Sequence, residues 1–369
     1  MKRGLFVGRE IKIDKPYNKN VGSQNPNKEI LKNNMEYLIN HQTNEYFIEI
    51  ERLNSRGVDD SLPFFVHIPP AQGFFDINSL AVSKSSELIK AFEGQKFNRI
   101  ESKYDIITII PFRNRGWHIQ KTIDSLLLSS NISDKKIGFL VVEHSQNPIF
   151  DTEKYSDIDN LHYIWIDSKG LIFNKCFCHN IGSAITDSEF IHFHDCDLIV
   201  PSDFYNILDE SLSKNPCVQC FSGRRVLYMD ESSTKYYHQT DSLDKIDLKS
   251  PLIKEGSPGA PGGSIAISRD IFEEIGGFDP HFFWAYSIED RFFWEKAEKI
   301  KKFTTLEDPK VDLFHLWHPP GWGKNPYERF EQRIFQIFSS DKNMSDEYIR
   351  TAKRLYLELI ERHVNNDNI

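Results

Sequence analysis

The stretch Glu189-Phe190-Ile191-His192-Phe193-His194-Asp195-Cys196-Asp197 decides the fold of this chain. Residues 189–194 have the pattern of a buried strand, and two carboxylates follow the strand at once. Asp195 and Asp197 therefore lie at a carboxyl strand end, where open α/β sheets place their ligands. Their oxygens suit Mg²⁺ or Mn²⁺ and the diphosphate that such a cation carries. Asp-x-Asp alone is weak evidence, because most copies lie in surface turns, so the prediction depends on polar groups elsewhere in the chain.

From residue 104 onward, strand patterns alternate with helix patterns. The predicted strands are 105–111, 136–143, 162–166 and 189–194, and the predicted helices are 118–128, 175–184, 202–212, 272–275 and 290–300. This alternation predicts an α/β fold with a layered sheet flanked by helices. Before it, residues 46–50 and 62–68 have strand patterns, and 30–39 and 78–92 have helix patterns. Near the end of the chain, Ser345 is expected to cap a further helix that packs on the body of the protein.

The bulk composition excludes several classes of protein. The chain has 369 residues, 39% of them hydrophobic and 27% charged, which is typical of soluble globular proteins. Its net charge of −9 excludes a broad electrostatic surface for nucleic acid. No signal-peptide pattern and no apolar run of about 20 residues, as a membrane-spanning helix needs, is visible in the sequence, so we expect neither. We expect a cytoplasmic protein, and peripheral association with the inner face of a membrane stays open.

The five cysteines are expected to be reduced, because the count is odd and no secretory signal is present. Cys217 and Cys220 have the spacing of half a zinc site. The other half would be Cys176 and Cys178, whose spacing is irregular for closed zinc sites. Small buried side chains are therefore the favoured interpretation.

Two arginines follow the first predicted strand of the α/β region, in Pro111-Phe112-Arg113-Asn114-Arg115. Guanidinium groups at a strand end hold a diphosphate or stack on a base. A solvated loop with ordinary surface charges is the alternative, and it would be favoured if this segment stood alone.

The order of the motifs resembles the β-1,4-galactosyltransferase family and its bacterial family 2-type relatives, which are glycosyltransferases of the GT-A fold. The matching segments are Ile109-Ile110-Pro111-Phe112-Arg113-Asn114-Arg115, Ile172-Phe173-Asn174-Lys175, Asp195-Cys196-Asp197-Leu198-Ile199, Gly262-Gly263-Ser264, Gly276-Gly277-Phe278, Glu289-Asp290 and His315-Leu316-Trp317-His318. The resemblance implies a Rossmann-like GT-A domain with a mixed, mostly parallel sheet over residues 104–330. Residues 1–103 are then an N-terminal α+β extension of unknown role, and 331–369 are a C-terminal helical segment.

The resemblance also implies roles at the donor site. The nucleotide-binding residues would be Pro111, Arg113, Arg115, Phe173, Lys175 and Asp195. Phe173 and Lys175 would line the base and ribose, although the family has Arg in place of Lys175, so only its charge carries over. Asp197, His315 and His318 would bind Mn²⁺ or Mg²⁺. The family's animal members have methionine at the position of His315, and a hydrogen-bonded pair of histidines is the alternative to ligation.

At the acceptor site the resemblance implies that Asp290 is the catalytic base and that Glu289 binds the acceptor. A sugar hydroxyl must lose its proton as the new bond to C1 forms, and an ionised Asp accepts that proton. An acidic helix N-terminus is the alternative for this pair, and both interpretations hold together. Further contacts to donor sugar and acceptor are expected from Trp284, Tyr286, Gly263 and Trp322. Residues 284–288 depart from the family pattern, so the identity of the sugar does not carry over.

The sequence thus predicts a metal-dependent, inverting glycosyltransferase. It would move a hexose from a UDP-sugar to a hydroxyl of a glycan or lipid-linked glycan, in the synthesis of a bacterial surface polysaccharide. A metal-dependent phosphoesterase or pyrophosphatase would use the same carboxylates and histidines to activate water. A non-catalytic module that binds nucleotide sugars is the third possibility.

Overall fold

The structure is a computed structural model that describes residues 46–50, 64–68, 88, 90–171, 173–221, 226–243, 254–255, 262–283, 288–306, 311–318, 335, 338 and 342–365. Its strands and helices in chain order are β1 (Tyr46–Ile50), β2 (Phe64–Ile68), β3 (Lys103–Phe112), α1 (Gly116–Ser130), β4 (Ile137–Ser145), β5 (Leu161–Asp167), α2 (Lys175–Ile185), β6 (Asp187–His194), β7 (Leu198–Ile199), α3 (Phe204–Lys214), β8 (Cys217–Gln219), β9 (Val226–Tyr228), α4 (Glu231–Thr240), β10 (Lys254–Glu255), β11 (Ser264–Ser268), α5 (Arg269–Glu274), α6 (Glu289–Glu298), β12 (Thr304–Thr305), β13 (Leu313–His315) and α7 (Lys342–His363).

A seven-stranded sheet in the order β12-β8-β11-β6-β3-β4-β5 forms the centre of the fold. Its strands are parallel except β11, which runs antiparallel to both β6 and β8. A smaller sheet, β10-β9-β13-β7, lies beyond the end of β6. The predicted α/β fold with a mixed, mostly parallel sheet is therefore confirmed. Strands β1 and β2 form a separate antiparallel pair.

Each face of the large sheet buries its own apolar layer, because successive side chains of a strand point to opposite faces. Ile107 and Ile109 of β3 join a cluster with residues of α2 and α7. Ile106 and Ile110 join a second cluster with residues of α1 and α3. Helices thus cover both faces, and the ends of the parallel strands are left as the open edge where loops form a site.

The C-terminal helix α7 packs on the body of the protein, as the sequence predicts. A Cβ placed on Gly276 would come within 2.3 Å of the Lys353 nitrogen in α7, so only glycine permits this approach. Tyr348 of α7 donates a hydrogen bond to Asp279 over 3.1 Å, and Asp279 also pairs with the buried Lys296. The division into three units stays a prediction, while these contacts tie α7 closely to the α/β region.

Most predicted boundaries agree with the structure within a few residues, and two differ. Ser345 lies inside α7, which begins at or before Lys342, so Ser345 is not its cap. The short helix predicted at 272–275 begins earlier, at Arg269. The helix patterns at 30–39 and 78–87 lie outside the described residues.

All five cysteines are buried and form no disulfide, as expected for small interior side chains. Within the described part of the chain, the structure brings no set of cysteines together as a metal site. The described helices include none that is both long and apolar enough to cross a bilayer.

Candidate active site

The chemistry-bearing residues meet where the parallel strands end. The loop after β3 holds Arg113 and Arg115, and the loop after β6 holds Asp195 and Asp197. Strands β3 and β6 are neighbours in parallel register, with Ile109 opposite Phe193. Their carboxyl ends therefore open on the same edge of the sheet, as the sequence predicts.

A first cluster consists of Asp197, His315 and His318, whose donor atoms all lie within 4.8 Å of one another. Strand β13 pairs with β7 so that His315 lies opposite Leu198, the residue after Asp197. His318 Nε2 is 3.3 Å from Asp197 Oδ2, and His315 Nε2 is 3.8 Å from Asp197 Oδ1. The pairing of two short strands thus brings the predicted carboxylate and both histidines together from positions more than a hundred residues apart.

The histidine segment 315–318 is held by hydrogen bonds between its main chain and three other segments. Leu316 N donates to Asp197 O over 2.9 Å, and Trp317 N donates to Thr234 Oγ1 over 2.8 Å. His118 Nε2, on α1, donates to Trp317 O over 3.0 Å. Sequence reasoning missed Thr234 and His118, because their role depends on a contact with the main chain of a distant segment, which no local pattern signals.

Arg115 lies against the same cluster. Its guanidinium donates to Asp197 Oδ2, and it lies 3.4 Å from His318 Nδ1. Burial opposes ionisation of Asp197, but His315, which is protonated at the low pH where Asp197 would titrate, and the Arg115 guanidinium outweigh burial and hold the pKa of Asp197 well below its usual range. Asp197 is therefore a carboxylate at every pH of interest.

The donor set fits a divalent cation of the Mn²⁺ type. One anionic oxygen and two imidazole nitrogens are ligands that such a borderline metal accepts. Burial lowers the pKa of His315, so its ring is neutral at pH 7 and has a lone pair to offer. The set fills only part of a coordination sphere, which leaves room for oxygens of a substrate.

A second cluster surrounds Lys175, the first residue of α2. Its Nζ lies 2.8 Å from Asp195 Oδ1, 3.1 Å from Asp290 Oδ2 and 3.9 Å from Glu289 Oε1. The predicted contact of Lys175 with base and ribose stays a prediction. Three carboxylates surround the ammonium group of Lys175: the first aspartate of Asp-x-Asp and the acidic pair at the start of α6.

The position of Lys175 follows from Asn174, which caps α2. Asn174 Oδ1 accepts a hydrogen bond from Phe177 N over 2.9 Å, and its amide donates to Pro280 O over 3.0 Å. His144 Nδ1, at the end of β4, accepts from the Asn174 nitrogen over 3.1 Å. A fully buried cap with three bonds fixes where the lysine begins its path into the site.

The environment of Lys175 sets the charges of the acidic pair. Burial and the neighbouring Asp290 raise the pKa of Glu289 to about 7, although Lys175 opposes the rise. Burial also raises the pKa of Asp290, and there Lys175 is the main opposing charge. Both carboxyls also lie in the first turn of α6, where the helix dipole favours their ionised forms.

Two glycines make room for this cluster. A Cβ on Gly262 would lie 2.5 Å from Asp290 Oδ2. Gly263 has φ +94, which L side chains rarely adopt, and its carbonyl accepts from Asp195 N over 2.8 Å. The predicted site residue Gly263 thus shapes the floor of the site through its backbone.

The remaining predicted donor residues are partly separated. Pro111 is buried within β3, and Arg113 turns away from Arg115 to donate to Leu171 O over 2.5 Å. Phe173 packs its ring 5.9 Å from that of His144. Arg113 and Phe173 thus lie toward β4 and β5, whereas Arg115 lies with Asp197. Trp284, Tyr286 and Trp322 lie outside the described residues, so their roles stay predictions.

Solved structures with similar architecture include a β-1,4-galactosyltransferase 7 from Drosophila in complex with manganese, UDP-Gal and xylobiose. It shares 15% identity over 59% of this chain and 71% of its own, with a TM-score of 0.37. TarS 1-349 from S. aureus shares 13% over 69% of this chain and 71% of its own, with a TM-score of 0.45. The mannosyltransferase PcManGT from Pyrobaculum calidifontis, in complex with GDP-Man and Mn²⁺, shares 12% over 77% of this chain and 84% of its own, with a TM-score of 0.41.

The sequence itself matches a protein-family model over residues 107–352, which is more than half of the chain. That span contains both clusters and all strands of the large sheet except the first residues of β3. A comparison with curated proteins finds no match. The matching model is that of the glycosyltransferase like family 2, and this chain belongs to that family of glycosyltransferases.

Proposed function

We propose that this glycosyltransferase is metal-dependent and inverting, and that it transfers a hexose from a UDP-sugar to a hydroxyl group of a glycan. The observation that carries the proposal is the pair of clusters at one sheet edge. One cluster offers a cation site, Asp197 with His315 and His318, and the other offers carboxylates suited to proton transfer. Asp195, two residues before Asp197, belongs to the second cluster through its contact with Lys175.

On the donor side, the chain's own residues hold a diphosphate. Arg115 supplies a permanent charge beside Asp197, and its guanidinium would offer hydrogen bonds to a phosphate oxygen of the donor. Asp197, His315 and His318 would hold the ion, for which Mn²⁺ is the best chemical fit. When bound, such an ion neutralises charge that develops on the departing UDP.

On the acceptor side, Asp290 removes the proton of the attacking hydroxyl. The acceptor oxygen bonds to C1 of the sugar while the bond from C1 to the diphosphate breaks, and the hydroxyl proton goes to Asp290. A single displacement of this kind inverts the configuration at C1. Lys175 keeps Asp290 ionised, and Glu289, with a pKa of about 7, holds the acceptor through a hydrogen bond in either protonation state.

The nature of the sugar and of the acceptor rests on the sequence resemblance alone. We keep a hexose such as Gal, GalNAc or GlcNAc as the proposed donor sugar, and a glycan or lipid-linked glycan of a bacterial surface polysaccharide as the proposed acceptor. Work at the inner face of a membrane would follow from a lipid-linked acceptor.

The test is a panel of UDP-hexoses with Mn²⁺, assayed with and without glycan acceptors. A transferase releases UDP much faster when acceptor is present and forms a glycoside of the opposite anomeric configuration, which NMR of the product reports. Asp290→Asn keeps the shape of the base and should lower kcat at least ~100-fold while donor binding stays within about twofold. Release of phosphate or nucleotide that no acceptor accelerates would instead identify a hydrolase, and retention of configuration would exclude the single displacement.

A further inference from the structure

Asp195, Cys196 and Asp197, which connect β6 to β7, are called the metal-binding loop here because Asp197 is the proposed metal ligand. Beneath this loop, a series of hydrogen bonds crosses three strands on one face of the sheet. Thr108 of β3 lies opposite His192 of β6, and His194 of β6 lies opposite Ser264 of β11. His192 and His194 are two residues apart, so their side chains share this face. Ser264 Oγ lies 2.8 Å from His192 Nε2 and 2.9 Å from His194 Nδ1. All four side chains are at most 1% exposed.

The donor and the acceptor of every hydrogen bond in this series follow from the last acceptor. His194 Nε2 lies 3.1 Å from the carbonyl oxygen of Leu198, and a carbonyl only accepts, so Nε2 carries the hydrogen. A neutral His194 then has a lone pair on Nδ1, which must accept from the hydroxyl of Ser264. Because that hydroxyl donates its one hydrogen to His194, it must accept a hydrogen bond from His192 Nε2.

The same argument continues to the other end. Neutral His192 offers a lone pair on Nδ1 to Thr108 Oγ1, 3.1 Å away. Thr108 therefore donates to His192 and accepts from the hydroxyl of Tyr205, 2.6 Å away. Burial lowers the pKa of His192 well below its usual value and that of His194 to about 4, so both rings are neutral at pH 7. Burial likewise raises the pKa of the nearby Cys220 thiol, which keeps its own hydrogen.

The last hydrogen bond of the series, from His194 to Leu198, joins the two ends of the metal-binding loop. His194 ends β6 and Leu198 begins β7, so the bond between them spans Asp195, Cys196 and Asp197. The other carbonyls of the loop are also held: Leu198 N donates to Asp195 O over 3.4 Å, and Leu316 N donates to Asp197 O over 2.9 Å.

Thr122 of α1 donates to Cys196 O over 3.0 Å. Each carbonyl from Asp195 to Leu198 thus has its own donor. Two of these four donors, Thr122 and Leu316, come from distant segments. The tautomer of His194, a third donor, depends on the buried series of hydrogen bonds.

We propose that Tyr205, Thr108, His192, Ser264 and His194 form a directed relay that positions Asp197 for metal binding, with Ser264 as its central positioning residue. The proposal rests on the proposed function in that Asp197 is a metal ligand. The relay acts through geometry: it fixes one tautomer of His194, and that tautomer fixes the loop. Loss of a partner that orients a ligand typically weakens metal affinity by about 10- to 100-fold.

The first experiment measures Mn²⁺ binding by titration calorimetry, without substrate. Ser264→Ala should raise the Kd for Mn²⁺ at least about tenfold. Ser183→Ala, which removes another fully buried hydroxyl outside the relay, should leave Kd within about twofold at a similar melting temperature. Equal Kd values for the parent and Ser264→Ala would overturn the proposal.

A second pair of variants separates hydrogen bonding from packing. His192→Gln retains a side-chain N–H that reaches toward Ser264, whereas His192→Leu fills similar space without a donor. We expect Kd to be close to that of the parent for the first and raised for the second. Equal Kd values for the two variants would show that His192 contributes packing alone, and this would overturn the relay.

A third measurement does not depend on the metal. Imidazole ¹⁵N shifts of the full chain at pH 7 should show both His192 and His194 as neutral rings with hydrogen on Nε2, and Ser264→Ala should alter both signals. A proton on Nδ1 of His194 would overturn the relay even if Mn²⁺ binds. If the parent binds no Mn²⁺ while the tautomers are as stated, the relay stands as a device that orders the loop and the metal-dependent function fails.

Discussion

Replacement of Lys175 by methionine tests whether this lysine governs the charge of the proposed base. Its ammonium group is the positive charge that faces Asp195, Asp290 and Glu289 together, and only 14% of its side chain is exposed. Methionine keeps most of the volume and removes the charge. The carboxyls would then repel one another without compensation, so the pKa of Asp290, which burial already raises, should rise further.

The expected size of the change follows from the distance. A unit charge 3.1 Å from the Asp290 oxygen contributes about 5 kcal/mol at an effective dielectric constant of 20. Lys175 divides its interaction among several carboxylates, and hydrogen bonds to charged groups typically contribute about 1.5–3 kcal/mol net. That range corresponds to about one to two pKa units. The acidic limb of the pH profile of kcat should therefore move up by about one to two pH units.

The assay is kcat against pH from 5 to 9.5 for the parent, Lys175→Met and the control Lys175→Arg, which keeps the charge. Because the proposed base must be ionised to accept a proton, the Met variant should lose most activity at low pH and regain activity at high pH. Lys175→Arg should keep the limb near its original position. A loss in Lys175→Met that is the same at every pH would refute the electrostatic argument, since a purely structural role gives no recovery in alkali.

Three further outcomes follow from the geometry. Asp197→Ala should abolish Mn²⁺ binding measured by calorimetry, because it removes the anionic ligand; binding at parental affinity would contradict the donor set. Glu289→Gln should stabilise the protein above pH 7. A pKa of Glu289 of about 7 in the folded state, against about 4.3 in the unfolded state, destabilises the parent increasingly between those pH values, by up to about 4 kcal/mol. Thermal unfolding at pH 5 and pH 8 measures the difference. Gly262→Ala should lower kcat more than it raises the donor KM, because its Cβ would lie 2.5 Å from Asp290 Oδ2; unchanged kcat would show that Asp290 needs no fixed position.

The sequence predicts the parts of the fold and site that follow from local pattern. A β-branched or aromatic run between helix patterns specifies a parallel strand, and the polar residues after it must fall at the sheet edge. That reasoning placed Asp197 and Arg115 together in advance, and the motif order added the histidines. It could not find His118 or Thr234, which act on the main chain of residue 317.

The relay had one signal that could have been noticed. His192 and His194 alternate within a strand that is otherwise apolar, so both face the same buried layer, where a lone imidazole needs a partner on each nitrogen. The pattern could not name the partners, because Thr108 and Ser264 come from strands whose register is fixed only by the folded sheet. The surroundings of Lys175 were hidden for the same reason, since its carboxylates come from two other segments.

The two clusters give opposite environments to the same chemical group, and this difference supports the roles proposed for them. Around Asp197, imidazoles and a guanidinium outweigh burial and keep the carboxyl ionised, which is what a metal ligand requires. Around Glu289 and Asp290, burial and repulsion from neighbouring carboxylates outweigh a single ammonium and raise both pKa values, which suits proton transfer near neutral pH. The acidic pair lies around Lys175 together with Asp195, an arrangement that suits a second substrate with its own hydroxyl.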